Sequence, residues 1–328
     1  MKIVRRLANE DIFKNEEKLY ELFLNFPFKD FQRKIQKIDK KLLAFFFLDD
    51  LKIKIGKGIA WCFEVFNNRN SLALFVVEPL GKHSEIYGKK MFQISTVINY
   101  LNPQYCFDLF WCELKKYIIN YNIEYISCRL DASDYQNIAI FTNKDFRYAG
   151  ISVKAALPLV NFLFLPEYQI TDLSVSAANS VDLTRILEIS CQHRHNHIIY
   201  DAFLDKNKAG QLFSERVREF FIKTAARIYA LKRGNEVIGF VSYLEPVLFN
   251  RVINKKITTV DLIVVDDKCR GNNFGAYLLG ESLKREKEIG FEEVELRVAS
   301  DNYQALSLYT KLGFRVISGD AWLSYEPG

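Results

Sequence analysis

Between a strand-like run ending at Val265 and a helical run opening near Gly275, the chain carries Arg270-Gly271-Asn272-Asn273-Phe274-Gly275. The first turn of a helix presents backbone N–H groups that have no partner within the helix, and a partial positive charge. Such a junction suits a phosphate or pyrophosphate. Glycines let the backbone approach that ligand and take positive φ. The same letters also fit a plain helix entry with Asn272 as its N-cap. A second group is Cys191-Gln192-His193-Arg194-His195-Asn196-His197, holding three of the chain's four histidines. Alternate spacing after a helix matches no standard ligand pattern, so no metal is expected. With Tyr200 just beyond, the segment reads either as a binder of an anionic acceptor or as an exposed polar loop.

The elements that must position these groups are legible in the second half. Helical spacing of apolar residues runs over 181–194 and 208–226. Strand-like runs follow at 226–234, 235–247 and 255–267, with Gly234-Asn235 as a tight turn. Then come helix 274–289, strand 292–300, helix 301–312 and strand 314–325. This order predicts an α/β fold with a mixed, mostly antiparallel central sheet flanked by helices. The first half is harder to read, but it ends in strand 124–132, helix 134–144 and strand 146–159. Its apolar run at 42–48 has the length of a core strand. The basic run 33–41 reads as a solvated helix face.

Composition narrows the class. The chain has 328 residues, 49% hydrophobic and 26% charged, which is ordinary for one or two globular domains. A net charge of +5 falls short of a dedicated nucleic-acid domain. The six cysteines include no C-x-x-C pair, which fits reduced thiols better than disulfides or a zinc site. No stretch has the length of a membrane span and no signal core follows the N-terminus. The expectation is a cytoplasmic protein that binds neither membrane nor nucleic acid.

The chain also repeats itself. Residues 133–147 (SDYQNIAIFTNKDFR) and 301–315 (DNYQALSLYTKLGFR) align without a gap at a spacing of 168 positions. So long a period marks a duplicated domain. The same shift places Arg270–Gly275 on Asn102, Pro103, Gln104, Tyr105, Cys106 and Phe107, where there is no glycine and proline removes a donor. Tyr309 falls on Phe141 and Gly313 on Asp145. The first copy retains packing residues and lacks the chemistry. Its expected work is structural, and the apolar connector at 160–166 is expected to be packed.

Asn302, Ala305, Leu308, Tyr309, Gly313 and Phe314 spell N-x-x-A-x-x-L-Y-x-x-x-G-F, downstream of the Arg-x-x-Gly-x-Gly-like loop. Together they resemble the GNAT superfamily of acetyl-CoA-dependent N-acetyltransferases. The resemblance implies tandem copies: a degenerate GNAT-like domain over 1–166 and a catalytic domain over 167–328. It implies acetyl-CoA as co-substrate, held by Ile263, Val264, Val265, the loop Arg270–Gly275, Ala276 and Asn302. Asn273 departs from the pattern, standing where the family has its middle glycine. Asparagine best tolerates the left-handed region among non-glycine residues, so the loop can still close. Tyr309 matches the family's general acid, or is an aromatic on the helix's core face. Asp261 lies where many members carry an acidic residue. It is either the general base or a plain strand residue. A homodimer is a habit of the family.

For the acceptor, residues 197–219, 84–95 and the terminal DAWLSY resemble the branch that acetylates nucleotide-linked amino sugars, such as the dTDP-fucosamine acetyltransferases. That resemblance implies His193, Arg194, His195, His197 and Tyr200 beside a small-molecule amine. A protein or peptide amine is the enzymatic alternative. A non-catalytic acyl-CoA-binding scaffold is the alternative outside enzymology.

Overall fold

The structure, a computed structural model, describes residues 3–29, 36–67, 70–160, 162–163, 172–193 and 195–328. The chain forms two compact units, neither of them a contiguous stretch. Unit 1 is Met1–Ile151 with Tyr200–Leu204 and Ser318–Gly328, and unit 2 is Ser152–Ile199 with Asp205–Ile317. The boundary expected at 166/167 lies outside the described residues. So does most of the connector: Phe162 is buried, whereas Val160 and Leu163 are exposed.

The first half of the chain runs β1 (Ile3–Arg6), α1 (Asn9–Lys14), α2 (Glu16–Leu24), α3 (Lys40–Gly56), β2 (Trp61–Phe66), β3 (Ser71–Pro79), α4 (Gly81–Tyr87), β4 (Met91–Ile98), α5 (Pro103–Tyr121), β5 (Tyr125–Asp131), α6 (Tyr135–Thr142) and β6 (Arg147–Pro158). The second half runs β7 (Leu173–Ala177), α7 (Leu183–Ser190), α8 (His197–Tyr200), α9 (Lys206–Phe220), β8 (Ala226–Arg233), β9 (Glu236–Leu244), α10 (Val247–Ile253), β10 (Ile257–Val265), α11 (Phe274–Ile289), β11 (Glu293–Ala299), α12 (Tyr303–Lys311) and β12 (Arg315–Tyr325).

Each unit has the same sheet. In unit 1 an antiparallel meander β1-β2-β3-β4 leads to a parallel β4–β5 pair, and β12 closes the far side antiparallel to β5. In unit 2 the meander β7-β8-β9-β10 leads to a parallel β10–β11 pair, closed by β6 antiparallel to β11. The strand that completes each sheet is therefore drawn from the other half of the chain. Side-chain alternation explains how each is held. Leu323 of β12 is 1% exposed in a core with Phe107, Phe110 and Phe141, whereas Ala155 and Leu157 of β6 join Leu278, Leu296 and Phe314.

Strand β3 shows why central strands read as continuous apolar runs. Ala73, Phe75 and Val77 face α5, whereas Leu74 and Val76 face a second core with Leu19, Leu48 and Leu51 of α2 and α3. That second core also accounts for a difference from the sequence reading. Residues 42–48 are helical, within α3, because Asp39 caps the N-terminus by accepting from the Lys41 N–H at 2.6 Å. Leu43, Ala44 and Leu48 are buried while Phe45 is 48% exposed. The basic run 33–41 is not one helix face either. Lys37 takes φ 54 before α3 begins, and 33–35 lie outside the described residues.

All three tryptophans, Trp61, Trp111 and Trp322, belong to unit 1, so their fluorescence reports that unit alone. The exchanged strand gives a direct prediction. Leu323→Ala should lower the stability seen by tryptophan fluorescence in denaturant by about 2–5 kcal/mol, the usual result of truncating a buried leucine.

Candidate functional site

The site of unit 2 begins with two strands that part. Parallel pairing of β10 with β11 runs from Ile257↔Glu293 to Val260↔Leu296 and goes no further. Asp261 is the extra residue of a β-bulge: Val260 pairs with Tyr243, and the next partner, Ser242, faces Leu262. Beyond it β10 continues against β9 to Val265↔Gly239, while β11 continues against β6 to Ala299↔Ser152. The strands thus splay into a wedge. Along one wall of it Ile263, Val264 and Val265 have their ladder partners on the β9 side only, among the described residues. A strand edge of this kind can pair with an extended ligand.

The loop at the wedge's mouth is held from behind. Buried Asp266 accepts from the Lys268 N–H at 2.9 Å and pairs with Arg185 of α7. Burial raises its pKa, but that amide and Arg185 together hold it below the usual carboxylate range. Gln192 accepts from the Asp267 N–H at 2.8 Å. Neither Arg185 nor Gln192 was legible as a loop support, because the spacing that joins them to 266–267 exists only in three dimensions. Arg270 pairs with Asp267 at 2.6 Å and donates from Nε to the Val265 carbonyl at 3.2 Å. Its side chain stays 44% exposed.

Gly271 takes φ 88, a region that favours glycine. Asn273 takes φ 58 and ψ 13, the left-handed conformation anticipated for it. It, rather than Asn272, is the N-cap of α11, with no side-chain cap bond. Asn272 instead turns its Nδ2 to the carbonyls of Cys269 and Arg270 at 3.3 and 3.4 Å. The Ala276 and Tyr277 N–H groups return to the Asn273 carbonyl, so the earlier amides form the open first turn. A Cβ at Gly275 would meet nothing tighter than Leu308 Cδ2 at 3.6 Å, an ordinary contact. Packing within the chain does not demand glycine there. Room for a ligand against the helix N-terminus is what a side chain would remove, so these residues fit a bound pyrophosphate.

Phe274, Tyr309 and Phe314 share one core cluster, on which Ile263 and Val265 pack. Tyr309 on α12 is 7% exposed, and burial alone pushes its phenol well above the usual tyrosine value. Asn302 caps the same helix, its side chain accepting from the Ala305 N–H at 3.2 Å. Asp261 is paired with Arg216 of α9, its side chain 8% exposed. Burial raises its pKa against the opposing pull of Arg216 and Lys223.

Residues 193, 195 and 197 lie in unit 2, Tyr200 belongs to unit 1, and Arg194 lies outside the described residues. His193 feels the charge of Arg270, which links this segment to the loop. Among the described residues no three His, Cys, Asp or Glu are placed to hold a metal, and no helix is long and apolar enough to cross a membrane.

Unit 1 keeps the frame and changes the contents. The β4–β5 pairing ends at Ile94↔Cys128, and Ser95 is the bulged residue there. The counterpart of the loop, 102–107, is the entry and first turn of α5, with Pro103 at its start. Phe107 and Phe141 stand at the places of Gly275 and Tyr309, their rings 4.5 Å apart. The repeated Tyr-Gln pair is exposed in both copies, Tyr135 at 77% and Tyr303 at 76%. Nothing in the sequence marks these tyrosines as exposed, although their recurrence could have drawn attention to them.

Comparison with known proteins agrees with this geometry. Residues 192–314 match the acetyltransferase (GNAT) family. The chain is 29% identical over 107 residues to mycothiol acetyltransferase of Saccharomonospora viridis, a match covering 32% of this chain and 35% of that protein. It thus spans about a third of that relative. A tandem GNAT protein from the clavulanic acid biosynthesis pathway superposes with a TM-score of 0.58 at 12% identity, covering 100% of this chain and 99% of the other. A GCN5-related glucosamine N-acetyltransferase region of a fungal multi-domain GH3 β-N-acetylglucosaminidase gives 0.68 at 10% identity, covering 99% of this chain and 38% of that one. The fold is the GNAT fold, and over residues 192–314 the chain is similar to GNAT acetyltransferases.

His193 packs edge-on against Phe213 at 4.7 Å, and burial lowers its pKa to about 4. An unfolded chain takes up a proton there near pH 6.5, but the folded chain does so only near 4. The imidazole is therefore neutral at pH 7. Stability should fall as pH drops through this window, and His193→Gln should flatten that slope in acid-titrated unfolding curves.

Proposed function

We propose that the protein is an acetyl-CoA-dependent N-acetyltransferase whose unit 2 transfers the acetyl group directly to a primary amine. The observation that carries this reading is the wedge between β10 and β11, with an open helix N-terminus at its mouth. Ile263–Val265 would pair with the pantetheine arm, and the amides of residues 271–275 would face the pyrophosphate, with Arg270 adding charge. When bound, acetyl-CoA supplies the thioester that the amine attacks.

The remaining steps belong to the chain's own side chains. Asp261 takes the proton of the attacking amine, directly or through water, and its raised pKa makes it a better base than an ordinary carboxylate. Tyr309 keeps its proton at all working pH values because burial opposes the phenolate. A thiol has an ordinary pKa of about 8.5, far below this phenol, so Tyr309 stabilises the departing thiolate by donating a hydrogen bond while retaining its proton, and the thiolate takes its proton from solvent.

For the acceptor we favour an amino sugar carried on a nucleotide. This rests on the resemblance of 197–219 and on the basic, histidine-bearing segment 193–197 leading to Tyr200. A panel of nucleotide-linked amino sugars and peptide N-termini decides it. Turnover of peptides alone would reject the sugar. Binding of acetyl-CoA without turnover of any amine would favour a scaffold.

Calorimetric titration with acetyl-CoA should give one site per chain, in unit 2. Gly275→Phe, which places the first copy's residue in the second, should weaken binding by about 100-fold or more while circular dichroism stays unchanged. Two sites, or none, would overturn the reading. Tyr309→Phe should lower kcat by about 100-fold with little change in acetyl-CoA affinity. In wild type kcat/KM should fall on the acid side as Asp261 protonates, above the ordinary carboxylate range near 4. Asp261→Asn should lose that limb.

A further inference from the structure

Where unit 2 has the mouth of its wedge, unit 1 has a cleft of about 470 Å³. Phe28, Tyr100 and Tyr135 supply its aromatic surface, and Asn99, Ser133 and Asp134 its polar one. Among the described residues, no lysine or arginine lines it. The polar residues are wired in a definite direction. Asn137 Nδ2 donates to the Asp134 carboxylate and to the Asn99 carbonyl, both at 2.8 Å. Asn99 Nδ2 donates to Asn137 Oδ1 at 2.8 Å and to the Pro103 carbonyl at 2.9 Å. Each amide nitrogen faces acceptors only, which fixes both amide orientations.

What remains at the end of this relay is Asn99 Oδ1, buried and without a hydrogen-bond partner. A buried acceptor left unpaired is destabilising, and a donor on a ligand would satisfy it. Asp134, 3% exposed, contributes a carboxylate whose neighbours in the relay are neutral, and Asp131 adds negative charge close by. Acceptors, negative charge and aromatic faces together select an ammonium attached to an apolar body. They repel a phosphate.

We infer that unit 1 binds a primary ammonium carried on an aromatic or aliphatic body, donating to Asn99 Oδ1 and facing Asp134, with the body against Phe28, Tyr100 and Tyr135. The inference stands apart from acetyl transfer, since it uses none of that site's residues.

The test is calorimetric titration of the full chain with benzylammonium and with benzyl alcohol, its neutral counterpart. Benzylammonium should bind at least about tenfold more tightly than the alcohol. Asp134→Asn, which retains a cap for α6, and Tyr135→Ala, at an exposed position, should each weaken it about tenfold, with tryptophan fluorescence confirming that unit 1 is folded. Asp261→Asn should leave this binding unchanged. Equal affinity for the alcohol, indifference to both unit 1 substitutions, loss with Asp261→Asn alone, or no binding up to about 10 mM would each overturn the inference.

Discussion

Two adjacent parallel strands that share only four residue pairs must find other partners for the rest of their backbone, and unit 2 depends on how they do so. Strand β10 is held beyond Val260 by β9, and β11 is held beyond Leu296 by β6, so each satisfies its ladder on its outer side. Hydrogen bonding to outer neighbours keeps the gap from closing. The bulge at Asp261 marks where the gap starts, and its carboxylate pairs there with Arg216 of α9. The proposed base thus follows from a single irregularity in the sheet.

The first copy has the same bulge and the same early end of pairing, so the frame does not by itself confer the chemistry. What differs is the filling. Phe107 and Phe141 meet where the second copy has Gly275 and Tyr309, and Asn99 and Asn137 link the end of β4 to α6. In the second copy Ala305 stands in the place of Asn137 and makes no such link through its methyl group. Loss of acyl-CoA binding, as proposed, comes from occupancy of the wedge within an intact fold. Even the support of the bulge persists in altered form. Arg216 pairs with Asp261 in unit 2, whereas in unit 1 Lys54 pairs with Glu78 at 3.0 Å and Glu78 in turn accepts from Ser95.

Much of this was legible in the sequence where local chemistry dictates the outcome. The loop at 270–275 and the left-handed Asn273 follow from residue types at fixed spacings, whereas the caps were misplaced: Asn273 takes the position expected of Asn272, and Asn302 caps α12 without having been read as a cap. Helix α3 was missed because an apolar run of strand length was taken without its cap at Asp39, two residues before Lys41. The exchange of β6 and β12 was invisible for a deeper reason. FRYAGISVKAALP and FRVISGDAWLSY descend from one repeated pattern, so either strand fits either sheet by its alternation alone. The choice is made by long-range packing, as with Leu323 among the phenylalanines of unit 1. The supports from Arg185 and Gln192 were hidden likewise, since an ion pair 81 positions apart and a hydrogen bond 75 positions apart leave no periodic trace.

The exchange also sets an order of events during synthesis. Unit 2 needs from the first half only residues 152–158, which leave the ribosome before its own strands do. Unit 1 needs Asp320–Tyr325, whose partners in β5 emerged nearly two hundred residues earlier. At about 5–20 residues per second, the edge of β5 must wait some ten seconds or more with its hydrogen-bonding groups unpaired. The sheet of unit 1 can therefore be finished only after residues 320–325 have been made, long after its other strands.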